Sequence, residues 1–95
     1  MTGGDRDLAR EVIGIFLDNA RDYLGALDGA ADLAAWQGAA HKLKGAARGL
    51  GAWRLEELCR QAEAVGDLEG ERHALSTAIA AAIDDIRAHA AGRAL

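Results

Sequence analysis

The sequence predicts an all-α fold, an antiparallel up-down-up-down four-helix bundle formed by a single domain over residues 1–95. Its apolar residues recur with the 3.6-residue period of amphipathic helices rather than the alternation of strands. Alanine is abundant and proline is absent, and this composition favours helix along the whole chain. The breaks between the four periodic segments are short, so consecutive helices should run antiparallel.

The first helix is predicted over about residues 5–27. An aspartate and a glycine at 28–29 interrupt the pattern and mark the end of the helix. The apolar stripe is wide enough to face a core on one side. It consists of Leu8, Val12, Phe16, Tyr23 and Leu27, widened by Ile13, Leu17 and Leu24.

The second helix is predicted over about residues 32–48. Asp32 is a suitable N-cap, because its carboxylate can accept a hydrogen bond from the first turn. The run Gly49-Leu50-Gly51 is a stop signal. The face directed at the core is predicted to contain Trp36, Ala39, Ala40, Leu43, Ala46, Ala47 and Leu50.

The third and fourth helices are predicted over about residues 52–65 and 69–90, with Gly66 and Asp67 ending the third. The core face of the third contains Leu55, Leu58, Cys59, Ala62 and Val65. The fourth has the most regular stripe in the chain, formed by Leu75, Ala78, Ile79, Ala82, Ile83, Ile86 and Ala90.

Composition and charge narrow the class of protein. A formal net charge of −4 argues against a nucleic-acid binder, which is usually basic. No run approaches the ~20 apolar residues of a membrane span, and the N-terminus lacks the apolar region of a signal peptide. The single cysteine, Cys59, is typical of a reducing compartment. We therefore expect a cytoplasmic protein, and a monomer, because every strong apolar stripe is needed for the core.

His41 is predicted to lie on the outer face of the second helix. On a helical wheel with about 100° per residue, it falls roughly 160° from the core residue Leu43. A lone exposed histidine is most often an ordinary surface residue. Here, however, Gly38 and Gly45 flank it in mid-helix, where each glycine costs about 1 kcal/mol relative to alanine. We interpret the two glycines as clearing an approach by which another protein reaches the ring.

The residues around His41 suit a carrier of phosphoryl groups. A neutral imidazole has a free lone pair on one ring nitrogen and is therefore a suitable nucleophile near neutral pH. Lys44, one turn further on, can stabilise a phosphoryl dianion on that ring. We expect Gln37, Gly38 and Arg48 to form a partner-binding face on the same side, with Arg48 steering an acidic pocket of the partner.

Glu63 is the candidate for orienting the imidazole. The second ring nitrogen needs an acceptor that fixes the tautomer. Glu63 lies at the rim of the apolar stripe of the third helix, from where it can face the second helix. A solvated carboxylate is the alternative interpretation, and the residue pattern favours neither.

One stretch of the chain contains His41-Lys42-Leu43-Lys44-Gly45-Ala46-Ala47, Leu50-Gly51-Ala52, Leu55, Cys59 and Glu63. It resembles the histidine-containing phosphotransfer (HPt) domain. The family pattern is His-x-Leu-Lys-Gly followed by small residues, a Leu-Gly step, a spaced leucine and a later acid or glutamine. The match covers about 23 residues, and the helix pattern on both sides fits the family's bundle. Ala62 departs from the pattern, because a larger aliphatic residue is usual before the acid.

The resemblance implies that His41 accepts a phosphoryl group from a receiver-domain aspartate and passes it to another receiver. It assigns charge stabilisation to Lys44, access to Gly45 and orientation of the imidazole to Glu63. The implied partners are response-regulator receiver domains, including those of hybrid histidine kinases. The family has no ATP-dependent kinase activity, so we expect no cofactor and no metal site here, with Mg²⁺ held by the receiver.

Three alternatives stand beside this hypothesis. One is an HPt-like module that binds receivers without carrying phosphate, and the second is the phosphoacceptor domain of a larger histidine kinase. The most remote is a haem- or metal-binding bundle. His73 and His89 are too far apart on one helix to share a metal ion, so we expect them at the surface. Trp53 falls off the apolar stripe of its helix. We expect it to pack over the end of the bundle, with a docking surface as the alternative.

Overall fold

A computed structural model of the chain describes residues 2–65 and 69–92, with side chains described at 10–65 and 71–90. Within these residues the chain forms four helices and no strand, which confirms the all-α prediction. None of the helices in the described part is long and apolar enough to cross a membrane. The helices are α1 (Thr2–Asp28), α2 (Leu33–Leu50), α3 (Trp53–Ala64) and α4 (Glu69–Gly92).

The helices pack in a ring, in which each contacts the next along the chain and α4 closes the ring against α1. In the described residues the backbones of the two diagonal pairs, α1 with α3 and α2 with α4, stay apart, and across the second pair the Arg72 guanidinium lies 5.9 Å from the ring centroid of Trp36. This is the predicted up-down-up-down bundle. Its core joins the inner faces of all four helices and includes the buried residues Phe16, Ala20, Leu27, Trp36, Ala40, Leu43, Ala47, Leu55, Cys59, Ala62, Ile79, Ala82 and Ile83.

Helix α2 begins where the sequence predicts and ends two residues later. Asp32 is the N-cap, and its side chain accepts a hydrogen bond of 2.8 Å from the backbone N–H of Ala35. The helix continues through Gly49 to Leu50, because only Gly51 adopts the left-handed conformation, with φ of 72°. A glycine tolerates this conformation without the steric cost of a Cβ atom, so Gly51 is the actual stop.

The turn between α2 and α3 is a Schellman motif. The N–H of Gly51 donates to the carbonyl of Arg48 at 3.1 Å, and the N–H of Ala52 donates to the carbonyl of Ala47 at 2.9 Å. Two residues therefore reverse the chain, and α3 starts directly at Trp53. This tight reversal holds α2 and α3 against each other as an antiparallel hairpin.

The other helix ends also differ from the predicted boundaries. Helix α1 begins at Thr2, three residues earlier than predicted, and α4 continues to Gly92. Helix α3 is one residue shorter at each end, because Ala52 and Val65 are its caps. The predicted break at Gly66 and Asp67 and the predicted core position of Leu8 lie outside the described residues and side chains.

Two apolar side chains lie outside the core against expectation. Val12 is 41% exposed. It lies about 24 Å along the helix axis from the C-terminal end of α1, where the shorter antiparallel α2 ends and no longer covers it. Trp53 is 77% exposed, so the expectation that it packs over the end of the bundle is wrong. Cys59 is fully buried in the core, as expected.

Candidate functional site

His41 projects from the middle of α2 into solvent, with 72% of its side chain exposed. The inner face of the same helix is formed by the buried residues Trp36, Ala40, Leu43 and Ala47. Since residues at these spacings occupy one side of a helix, burying that face directs His41 outward, as the helical phase predicts.

Glu63 of α3 joins the histidine to its neighbouring lysine. A single carboxylate oxygen, Oε1, lies 3.2 Å from Nδ1 of His41 and 2.8 Å from Nζ of Lys44. The Glu63 and Lys44 side chains are each about a quarter exposed, whereas the imidazole is largely in solvent. The three side chains thus form one contact group in the groove between α2 and α3.

The charge state of Glu63 determines which nitrogen of His41 carries the proton. The hydrogen bond from Lys44 is the largest influence on the pKa of Glu63 and lowers it below the ordinary value of 4.5. The hydrogen bond from His41 lowers it further, while desolvation opposes both effects. At neutral pH the carboxylate is ionised and can only accept, so Nδ1 of His41 donates. In the neutral ring the lone pair then lies on Nε2.

Two side chains of α2 fix the position of Glu63 along the helix axis. Nε1 of Trp36 donates to the carbonyl of Ala62 at 2.8 Å, and Nε2 of Gln37 donates to the carbonyl of Glu63 at 3.1 Å. The last four carbonyls of a helix have no partner within it. Consecutive donors on α2 thus satisfy consecutive carbonyls at the end of α3, and they set the register that brings Glu63 opposite His41.

Neither Trp36 nor Gln37 was predicted from the sequence to position Glu63. Trp36 was predicted only as a core residue, and Gln37 only as part of the partner-binding face. The structure engages the amide of Gln37 inside the protein and leaves this side chain half-buried. The sequence did carry one indication of the Trp36 contact, because the indole N–H of a buried tryptophan usually finds a hydrogen-bond acceptor.

The glycines on α2 line the other side of His41. By helical phase Lys44 and Gln37 face α3, whereas Gly38, Gly45 and Gly49 lie on the opposite side of the imidazole. A Cβ atom built at any of the three glycines meets nothing within 4 Å. The fold therefore does not require glycine at these positions, and their bare backbone leaves the ring open to a large neighbour.

Arg48 lies two turns beyond His41 at almost the same helical phase and is exposed. His73 and His89 are exposed on α4. Among the described residues, no group of three or more His, Cys, Asp or Glu side chains is arranged to hold a metal ion. The chemistry that this arrangement can perform is nucleophilic, at the Nε2 atom of an exposed and oriented imidazole.

Comparison with known protein families agrees with this geometry. The family model of the Hpt domain matches residues 11–89, which include all four described helices in whole or in large part. The comparisons with curated proteins and with solved structures found no match. Because the family model covers most of the chain, the protein belongs to the Hpt domain family, the phosphotransfer modules of two-component signalling.

Proposed function

We propose that the protein is a phosphorelay intermediate that accepts a phosphoryl group on His41 from the aspartate of one receiver domain and passes it to another receiver. The observation that carries this proposal is the contact of 3.2 Å between Nδ1 of His41 and Oε1 of Glu63. Because this contact engages Nδ1, the exposed Nε2 atom keeps the lone pair that a phosphoryl acceptor needs.

In the proposed step, the Nε2 lone pair forms a bond to phosphorus while the bond between phosphorus and the aspartate oxygen breaks. The aspartate leaves as a carboxylate, and no proton moves because Nε2 carries none. The phosphorylated ring, still protonated at Nδ1, has a positive charge, which the adjacent carboxylate of Glu63 stabilises. The reverse step to a second aspartate uses the same groups.

Lys44 has two roles in this proposal. Its ion pair of 2.8 Å neutralises Glu63, which would otherwise repel the incoming phosphoryl group and an acidic partner. Its ammonium also lies one helical turn from His41, near enough to favour a dianion on the ring. Gly45 and Gly38 supply access, and Arg48 contributes to docking, as does the exposed part of Gln37.

We further propose that the protein works as a cytoplasmic monomer without ATP-dependent kinase activity. The buried single thiol of Cys59 supports a reducing compartment. Support for a monomer comes from the apolar stripes of the helices, whose residues pack largely into one core. The family in general carries phosphoryl groups without kinase activity and interacts with receiver domains.

The test is transfer from a receiver domain that carries labelled phosphate on its aspartate, in the presence of Mg²⁺. We expect an acid-labile, base-stable label on the wild-type protein and none on His41→Gln. ATP alone should give no label. Binding of receivers without any label on wild-type protein would contradict the proposal and favour a non-phosphorylated receiver-binding module. A label that persists in His41→Gln would place the acceptor elsewhere.

A further inference from the structure

Trp53 is the most exposed large apolar side chain among the described residues, at 77%. The other tryptophan, Trp36, is 2% exposed and donates a hydrogen bond to Ala62. No ring contact or hydrogen bond of the Trp53 indole occurs in the described part of the chain. The side chain therefore contributes almost nothing to the fold, although it exposes a large apolar surface to water.

The backbone holds Trp53 in this position. It is the first residue of α3, directly after the Schellman turn at Gly51, and its N–H donates to the carbonyl of Gly51 at 3.0 Å. Leu55, Cys59 and Ala62 occupy the buried face of α3. Trp53 lies opposite that face by helical phase, so the indole is displayed on a rigid helix rather than on a loop.

Helix α2, which leads to Trp53, is cationic in an acidic protein. Residues 33–53 contain Lys42, Lys44 and Arg48 and no carboxylate, whereas the whole chain has a net charge of −4. After Trp53, Arg54 precedes Glu56 and Glu57, which lie one turn further along α3. Lys44 is paired with Glu63. In the described structure the other three, Lys42, Arg48 and Arg54, form no ion pair. An apolar anchor at the end of a helix with unpaired cations on its outer side complements a partner whose face is acidic.

Trp53 and His41 lie within the reach of one partner. The part of α2 from His41 to its end at Leu50 rises about 14 Å, and Trp53 follows across the two-residue turn. A standard interface covers about 800 Å² on each side, a patch about 30 Å across. Glu63, which contacts His41, lies ten residues after Trp53 on α3, about 80° around the helix. A partner seated on the α2–α3 face therefore touches both residues.

We propose that Trp53 is the apolar anchor by which an acidic receiver domain docks on the α2–α3 face, next to the unpaired cations Lys42 and Arg48 of α2. This inference rests on the proposed function, since it takes the receiver that exchanges phosphate with His41 as the occupant. Trp53 takes no part in the chemistry. It sets the affinity of docking, whereas His41, Lys44 and Glu63 set the rate of transfer in the docked complex.

The experiment measures transfer to wild-type, Trp53→Ala and Trp53→Phe proteins over a range of phosphorylated receiver concentrations. We expect Trp53→Ala to raise the half-saturating concentration about tenfold, the size of a typical anchor truncation, and to change the maximal rate less than about twofold. Trp53→Phe should recover part of the loss. Arg87→Ala, exposed on α4 away from α2, is the control and should match wild type.

A second measurement separates docking from chemistry. In His41→Gln, which carries no acceptor, acrylamide quenching of the exposed Trp53 fluorescence should fall when a tryptophan-free receiver is added. Protection in His41→Gln together with no labelling of wild type would contradict the proposed function and retain the anchor. Equal half-saturating concentrations for wild type and Trp53→Ala would contradict the docking role of Trp53 and leave the proposed phosphocarrier function intact. Protection by anionic lipid vesicles instead of the receiver would also contradict that docking role.

Discussion

Gln37 donates its side-chain amide to the backbone carbonyl of Glu63, and this bond of 3.1 Å ties the register of α3 to α2. The partner carbonyl belongs to the residue whose carboxylate contacts His41. The orientation of the imidazole therefore depends on a backbone contact as well as on a side-chain contact. Neighbouring Trp36 makes the matching bond one residue earlier, so the end of α3 is held at two successive points.

Replacing Gln37 by alanine tests this positioning. We expect Gln37→Ala to lower the free energy of unfolding by about 1 kcal/mol, the usual net contribution of a hydrogen bond. The transfer rate at saturating receiver should fall several-fold, since Glu63 loses its axial restraint. Urea denaturation and single-turnover transfer are the measurements. Gln61→Ala is the matched control, because the exposed Gln61 donates its amide to Glu57 of its own helix and not to α2. Equal losses in both variants would show that no positioning role exists.

The acid dependence of stability should report on Glu63. A carboxyl group whose pKa is lowered in the folded state stabilises the protein above its ordinary pKa of 4.5. This stabilisation is lost as the pH falls through the lower folded-state pKa. We expect Glu63→Gln to be less stable than wild type at pH 7 by up to about 1 kcal/mol. The difference should shrink to zero in strong acid, as measured by urea denaturation over a pH series. A difference independent of pH would contradict the ionic contact.

Gly45 should show opposite effects on stability and on function. Because a Cβ at this position meets open space, Gly45→Ala should raise the free energy of unfolding by about 0.5–1 kcal/mol. Gly45→Leu should also fold, yet slow transfer about tenfold or more, the effect of losing about 1.4 kcal/mol of docking. Gly25, also open and exposed but on α1, is the control, and Gly25→Leu should transfer normally. Fast transfer by Gly45→Leu would refute the access interpretation.

Cys59 should be unreactive in the folded protein. Burial is the main cause that raises the pKa of its thiol to about 12, and the nearby charge of Glu63 adds to this effect. Since the thiolate is the reactive form, iodoacetamide at mildly alkaline pH should modify native protein far more slowly than protein unfolded in urea. Mass spectrometry of the alkylated protein measures the ratio. Comparable rates in both states would mean that the core opens readily around α3.

Periodicity accounts for the parts of the structure that were predictable. The four helices, the buried face of α2 and the outward direction of His41 depend on spacing along one helix at a time. The contacts of Trp36 and Gln37 with α3 were not predictable in this way. They depend on the axial offset between two packed helices, and the apolar stripe of a single helix does not specify this offset.

Two local misjudgements have different physical causes. Gly49 and Gly51 are equally good candidates for the end of α2 in the sequence. Only the left-handed φ of Gly51 in the structure identifies the residue at which the helix ends. Trp53 was expected to pack over the end of the bundle, although it falls off the apolar stripe of its helix. The Schellman turn instead starts α3 at a phase that turns this residue away from the core.

The short reversal at Gly51 also has a consequence for the order of folding. The contacts that orient His41 link residues at most 26 positions apart, all within the hairpin of α2 and α3. Closing so small a loop costs little chain entropy, and local contacts of this kind form early. The direction of the imidazole is therefore set when this hairpin forms. Helices α1 and α4 supply the other half of the core that covers the hairpin.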